Sequence, residues 1–196
     1  MDTKLCSRKI TKTDQMDRIL ITVLLLEISW MVQAQVYKSQ DVMLSFFSKA
    51  PIEDIKAESK KGVSAINFET KSIYFKVEIR SFEFPKRLMQ EHFNENYLES
   101  SKYPSAEFKG SIKGIVDPSM DGVYPVAVQG DLNIHGVTKN YKVNGDFKVE
   151  QGIITGKSTF QVKLADHHIK IPSILNNNIA EIVDITVVVN YNATAQ

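Results

Sequence analysis

A chain of 196 residues that is 43% hydrophobic, 9% aromatic and 24% charged has globular composition and enough length for one sizeable core. Its 24 basic and 23 acidic side chains leave a formal charge of +1, which argues against a nucleic-acid binder that works by phosphate neutralisation. Six prolines and nine glycines exclude collagen-like and low-complexity chains, and the single cysteine, Cys6, excludes a disulfide framework or a cysteine-rich metal site.

The only long apolar run, residues 19–28, follows Arg18 and leads into Trp30, Met31, Val32, Gln33 and Ala34. About 20 residues are needed to span a bilayer, so this run is too short. A basic start, an apolar centre and a small residue at Ala34 match a secretory leader, cleaved to leave Gln35 as the new terminus. Glu27 inside the apolar centre and Val32 before the cut depart from that pattern, and a buried N-terminal helix is the competing reading. Met16 is a better start for such a leader than Met1. The expected organisation is therefore a leader at 1–34 and one domain at 35–196. Removing 1–34 takes away Cys6, five basic and four acidic residues, leaving 19 of each sign.

From Gln40 onward the side chains alternate with period two, the mark of strands buried on one face. Ile73, Phe75, Val77 and Ile79 oppose Tyr74, Lys76, Glu78 and Arg80. Val126, Val128, Leu132 and Ile134 oppose Gln129, Asp131, Asn133 and His135. Tyr141, Val143, Phe147 and Val149 oppose Lys142, Asn144, Asp146, Lys148 and Glu150, and Ile154, Phe160, Val162 and Leu164 form the inward set of another strand. Weaker candidates lie at 42–47, 52–59, 106–116 and 180–191. Together they predict an all-β fold of about eight antiparallel strands, near the number at which a closed barrel can hold one small ligand.

One helical signal interrupts the strands. Met89, Phe93 and Tyr97 recur at four-residue spacing within 86–100, and Pro104 follows. This short amphipathic helix is expected to pack over a sheet edge or across a barrel mouth, as core or as a lid.

Gly110, Gly114, Gly130, Gly145 and Gly156 all take the inward parity of their strands. Glycine there either lets a sheet bend sharply or leaves interior space. Both effects suit an elongated apolar cavity among Phe108, Leu132, Phe147 and Phe160, and such a cavity selects a long apolar guest.

Catalytic signatures are absent: no GxGxxG, Walker loop, GxSxG or HExxH occurs. Of the four histidines, His92 falls on the helix, His135 begins a His-Gly turn, and His167 and His168 would face opposite sides of an extended strand. No metal site is assigned to them. Residues 117–122 have the look of a calcium loop but lack its closing Glu, Val128 standing at that place, and read as a turn. Asp184, set among hydrophobics, is a carboxylate with the potential to act as a base, or a residue at a strand end or exposed edge.

The segment from Met89 through His92, Phe93, Asn94, Tyr97, Leu98 and Ser100 to Tyr103, Pro104, Phe108 and Gly110 resembles the central signature of the YceI-like family. The run Gly130, Asp131, Leu132, Asn133, Ile134, His135, Gly136, Val137, Thr138 resembles its second signature, and Ala165, Asp166, Ile171, Pro172 its third. Ser45, Phe46, Phe47, Ser48, Lys49, Ala50 and Pro51 resemble a branch common in Bacteroidetes-type bacteria. The resemblance covers Val42 to the C-terminus. It implies an exported, lipocalin-like extended antiparallel β-barrel that binds polyisoprenoids, quinones or related long-chain lipids, with no established general catalytic activity. Asn176, Asn177, Asn178 and the His167-His168 pair depart from the family pattern, so the ligand head group is not carried over.

The expectation is thus a periplasmic or secreted, non-catalytic binding protein without a cofactor. Phe75, Val77, Met89, Phe93, Tyr97, Phe108, Leu132, Ile134, Phe147, Phe160 and Val162 would line its ligand site, and a homodimer and transient membrane contact stay open. Two other classes compete. One is a structural or stress-protective surface protein with a filled interior. The other is an enzyme on the same barrel, using His135, His167 or Asp184 on an apolar substrate.

Overall fold

The structure, a computed structural model, describes residues 35–49, 54–170 and 181–192; the expected leader and the 176–178 asparagines lie outside them. Alternating side chains produce ten strands: β1 (Tyr37–Ser39), β2 (Val42–Ser48), β3 (Ile55–Ser59), β4 (Gly62–Asn67), β5 (Ser72–Glu78), β6 (Ser105–Lys113), β7 (Gly122–Ile134), β8 (Val137–Glu150), β9 (Ile153–Lys163) and β10 (Ile182–Asn192). Every hydrogen-bonded pair of strands is antiparallel, and all belong to one sheet in the order β1-β4-β5-β6-β7-β8-β9-β10-β2-β3. The lipocalin-like, mostly antiparallel fold is as expected. The strands number ten rather than about eight, because β1 is only three residues long and β4 turns Gly62, Ser64 and Ile66 inward, a set with a single large apolar side chain.

Tight turns set the register. His135 and Gly136, with φ of 53° and 74°, form the two-residue loop between β7 and β8, and Gln151 and Gly152 (50° and 78°) do the same between β8 and β9. Positive φ at both central positions is the type I′ geometry that matches strand twist. Curling comes from close backbone approach. Gly110 on β6 pairs directly with Gly130 on β7, and a β-carbon on Gly130 would run into the Lys109 carbonyl and Gly110 Cα. Neither glycine lines the cavity described below, so this pair serves bending, not empty volume.

Hydrogen bonds tie the two margins of the curled sheet together. At one end Ser39 Oγ on β1 donates to the Asn190 carbonyl of β10 (2.5 Å). At the other, Glu58 on β3 exchanges two backbone hydrogen bonds with Glu83 (3.2 and 2.8 Å), which follows β5.

The interior is not uniform. Val42, Ile66, Ile73, Ile112, Val149, Ile154 and Tyr191 form a densely buried cluster at the end carrying the type I′ turn of β8–β9. Towards the other end the buried residues break into three smaller groups, centred on Ala57, Val77 and Phe82, on Ile79, Leu98 and Ile169, and on Leu132, Val162 and Val183. Between β5 and β6 the chain makes a turn (Ile79–Ser81), the helix α1 (Arg87–His92) and a π-helical turn (Phe93–Tyr97). A helix of six residues is too short to be stable alone, so its position depends on packing.

Candidate functional site

The three smaller apolar groups surround a cavity of about 410 Å³. That is within the roughly 300–1,000 Å³ range of small-molecule sites. Its lining includes Phe75 and Val77 from β5, Met89 from α1, Phe93 and Tyr97 from the π-helical turn, Phe108 from β6, Leu132 and Ile134 from β7, Phe147 from β8, and Phe160 and Val162 from β9. All eleven residues expected at the site therefore face one space. Phe147 alone of them belongs to the dense cluster as a buried member. It is almost fully buried in the dense cluster, its ring edge-on to Phe68 at 5.5 Å, so it forms floor rather than side wall.

The helix end is closed by aromatic rings. Phe93 stacks on Phe46 from β2 (5.4 Å between centroids, 16° between planes) and meets Phe82 and Phe84 at 5.6 and 5.0 Å. Sequence reasoning placed Phe93 at the mouth but missed Phe46, Phe82 and Phe84. Phe82 and Phe84 flank Glu83 just before Pro85, but on the parity opposite to the inward set of β5, because the turn at Ile79–Ser81 shifts the alternation. Leu44, Tyr141, Val143, Ile169 and Ile185 also line the cavity and were not anticipated as site residues.

Burial keeps the two phenols of the lining protonated. Desolvation raises the phenol pKa of both Tyr97 and Tyr141, so each keeps its proton; a nearby Asp166 adds to the effect at Tyr141. Lys76, Asp146 and Lys157 touch the lining from strand positions of outward parity. Gly145 and Gly156 line the cavity, but they too are sites of close approach: a β-carbon on Gly145 would lie 2.5 Å from the Lys157 carbonyl, and one on Gly156 would lie 2.7 Å from the Phe147 ring.

The histidines take a different arrangement from that of an extended strand. Leu164–His167 forms a 3-10 turn and His168 adopts left-handed geometry (φ 58°), which buries His167 completely and leaves His168 exposed. The His167 Nδ1–H donates to the Val137 carbonyl (3.1 Å), so its Nε2 accepts from the Tyr141 hydroxyl (3.0 Å). His135 Nδ1–H donates to the His167 carbonyl (3.2 Å), and His135 Nε2 meets Glu99 Oε2 at 2.7 Å. Asp184 lies apart from this network and accepts from Gln161 Nε2 (3.0 Å) on the outer face. Among the described residues no group of three or more His, Cys, Asp or Glu side chains is placed to hold a metal ion. What the cavity offers is a mostly aromatic and aliphatic lining, with the charged side chains Lys76, Asp146 and Lys157 touching it from outward-parity positions.

The sequence model of the YceI-like domain matches residues 37–191. The fold is similar to that of a polyisoprenoid binding domain from Saccharophagus degradans implicated in plant cell wall breakdown, at a TM-score of 0.69 and 16% identity over 82% of this chain and 99% of that one. It is similar to Burkholderia cenocepacia BcnA (TM-score 0.65, 16% identity, 76% and 95% coverage) and to a Campylobacter jejuni YceI protein (0.61, 18%, 74% and 88%). No curated protein matches.

Proposed function

Since the chain belongs to the YceI-like domain family, we propose that it is an exported lipid-binding protein which holds one long apolar chain in the cavity and performs no chemistry on it. The observation that carries this reading is the cavity of about 410 Å³, ringed by aromatic and aliphatic side chains, in a molecule whose far end is packed to exclude water. A protein whose interior served only as core would have filled that space, because interiors pack to crystal-like density. The polyisoprenoid binding of the similar domain from Saccharophagus degradans supports a lipid as the guest.

Burial alone supplies the affinity. At about 0.8 kcal/mol per methylene, ten buried methylenes give roughly 8 kcal/mol before the costs of association, so no ion pair to a head group is needed. Polyisoprenoids, isoprenoid quinones and fatty-acid-like chains all satisfy that requirement. The leader-like pattern of residues 16–34 supports delivery to the periplasm or beyond.

Two measurements test the proposal. Gentle purification followed by native mass spectrometry and solvent extraction should reveal one co-purifying long-chain lipid per protein; a ligand-free protein that also fails to take up cis-parinaric acid overturns it. Expression of the full chain in a Gram-negative host should yield a processed protein beginning at Gln35 in the periplasmic fraction, and retention of residues 16–34 overturns export.

A further inference from the structure

Among strands that are neighbours in the sheet order, β8 and β9 lose their backbone ladder part-way along the cavity wall. The margins of the sheet, which are not neighbours in that order, are held by the two backbone bonds between Glu58 and Glu83. β7 and β8 stay paired from Ile134↔Val137 to Gly122↔Val149, and β9 and β10 from Ile182↔Lys163 to Asn192↔Ile153. β8 and β9, by contrast, pair only from Glu150↔Ile153 to Gly145↔Ser158. Beyond that rung, residues 137–144 and 159–163 part from each other while each remains held by its other neighbour. At about 3.3 Å per residue, the arms of this fork are roughly 26 and 17 Å long. At its crotch Ser158 Oγ donates to the Asn144 carbonyl (2.7 Å), a bond from side chain to backbone in place of the next rung.

The fork opens onto the cavity. Tyr141 and Val143 on one arm and Phe160 and Val162 on the other line it, with the Tyr141 and Phe160 rings 6.1 Å apart. The outward-parity residues Asp146 and Lys157 at the crotch also belong to the lining, which places the surface and the interior in communication there. The Leu164–His167 turn crosses the top of the fork, from the end of β9 to the start of β8. Its bonds to the Val137 carbonyl and the Tyr141 hydroxyl form a clasp, and His135, set against Glu99, holds the clasp's own carbonyl.

We propose that this fork is the doorway through which the apolar chain enters and leaves, with His167 as its clasp. The inference rests on the lipid-binding reading above and adds the route. The far end of the cavity is blocked by the dense cluster around Ile154 and Tyr191, and the helix end by the Phe46, Phe82, Phe84 and Phe93 rings. Parting any fully paired strands would break a run of ladder hydrogen bonds, each buried group then lacking a partner. At the fork no backbone ladder has to break: what must move are side chains, the two His167 ring bonds, the His135 bond to the His167 carbonyl and, at the crotch, the Ser158 bond to the Asn144 carbonyl. A flexible chain can slide in sideways along the slot, without threading end-on.

Asn144 and Thr159 are exposed and occupy the first position past the last rung, where continuing the register would set them opposite each other. The full chain carrying Asn144→Cys, Thr159→Cys and Cys6→Ser closes the fork when oxidised, or when bridged by a bis-methanethiosulfonate reagent, closure being verified by intact mass. Stopped-flow fluorescence then follows uptake of cis-parinaric acid and its displacement. Closure should slow both by tenfold or more, with full recovery on reduction, and His167→Ala should speed both several-fold. A closed fork that exchanges the probe at the wild-type rate overturns the doorway while leaving the cavity's role intact. A wild-type protein that takes up no probe overturns the lipid-binding reading itself.

Discussion

The Tyr191 hydroxyl on β10 donates to Ser64 Oγ on β4 across 2.6 Å, joining residues 127 apart in sequence where the margins of the sheet meet. Ser64 in turn donates its own hydrogen to the Tyr74 carbonyl at 2.8 Å, which leaves its oxygen free to accept from the phenol. Desolvation raises the Tyr191 pKa far above the ordinary tyrosine value, so the phenol stays protonated and the bond keeps this direction. Tyr191→Phe removes a donor and leaves the Ser64 bond to Tyr74 in place, for a loss of about 1 kcal/mol. Ser64→Ala strands a buried phenol O–H and should cost more, about 1–3 kcal/mol. Urea unfolding of the two variants and their double mutant checks the order, and the double mutant should fall short of the sum because both changes delete one shared bond. Cavity affinity should be unchanged in Tyr191→Phe, since Tyr191 is not among the lining residues.

The paired glycines give a second test. Gly130→Ala places a methyl group against the backbone of Lys109 and Gly110, neither of which can swing aside as a side chain would. Overpacking of this kind costs about 1–3 kcal/mol, and the upper half of that range is expected. Gly122→Ala on the same strand meets only the Tyr124 ring at 3.4 Å, an ordinary contact, at a position without positive φ. It should be neutral or stabilising by up to about 1 kcal/mol through reduced freedom of the unfolded chain. Equal losses in both variants, read from denaturant midpoints, would remove close strand approach as the reason for glycine at 130.

Strands whose inward faces are apolar were legible from alternation alone: β5, β7, β8 and β9 each carry three or more large apolar residues on one parity. β4 was not, because Gly62 and Ser64 occupy inward positions for reasons that lie elsewhere in the chain. Gly62 makes room for Val42 and Leu44 of β2, and Ser64 receives Tyr191. The same limit applies to the site. Its strand-borne lining followed from parity, whereas Phe46, Phe82 and Phe84 meet Phe93 only after β3 pairs with the segment beyond β5. The fork between β8 and β9 leaves no local mark either. Inward parity is broken by Lys139 in β8 and by Ser158 in β9, but such polar positions do not by themselves show a parting, and the pairing partners reveal where the strands separate.

Acid should weaken the fold through His167. Burial, chiefly, pushes its pKa below the ordinary 6.5, with the neighbouring Lys139 adding to the shift and the Val137 and Ile134 backbone and Asp166 opposing it. As pH falls below about 6.5 the unfolded chain takes up a proton that the folded ring resists, so stability rises with pH across the window between the depressed folded value and 6.5. The contribution is whole above that window and is lost as pH drops through it. Wild-type protein should unfold at lower urea at pH 5.5 than at pH 7.5. His167→Gln, neutral throughout, should show a smaller difference, and an undiminished one would detach the acid sensitivity from this residue.

Cavity size predicts a chain-length limit. At about 30 Å³ per water-sized group, 410 Å³ holds on the order of a dozen methylenes. Across a series of saturated fatty acids, each added carbon should tighten binding by about 0.8 kcal/mol, close to fourfold, until the interior is full. Beyond that length further carbons stay in water and the gain per carbon should collapse. Ala106, on β6, lines the cavity and packs beside two of the apolar groups around it. Ala106→Phe fills space that is otherwise vacant, so it should shorten the limiting chain by several carbons while leaving stability equal or improved. Isothermal titration of the series against both proteins reads the two plateaus. If the variant binds every chain more weakly by one constant factor, with the break point unmoved, the guest does not occupy the space beside Ala106.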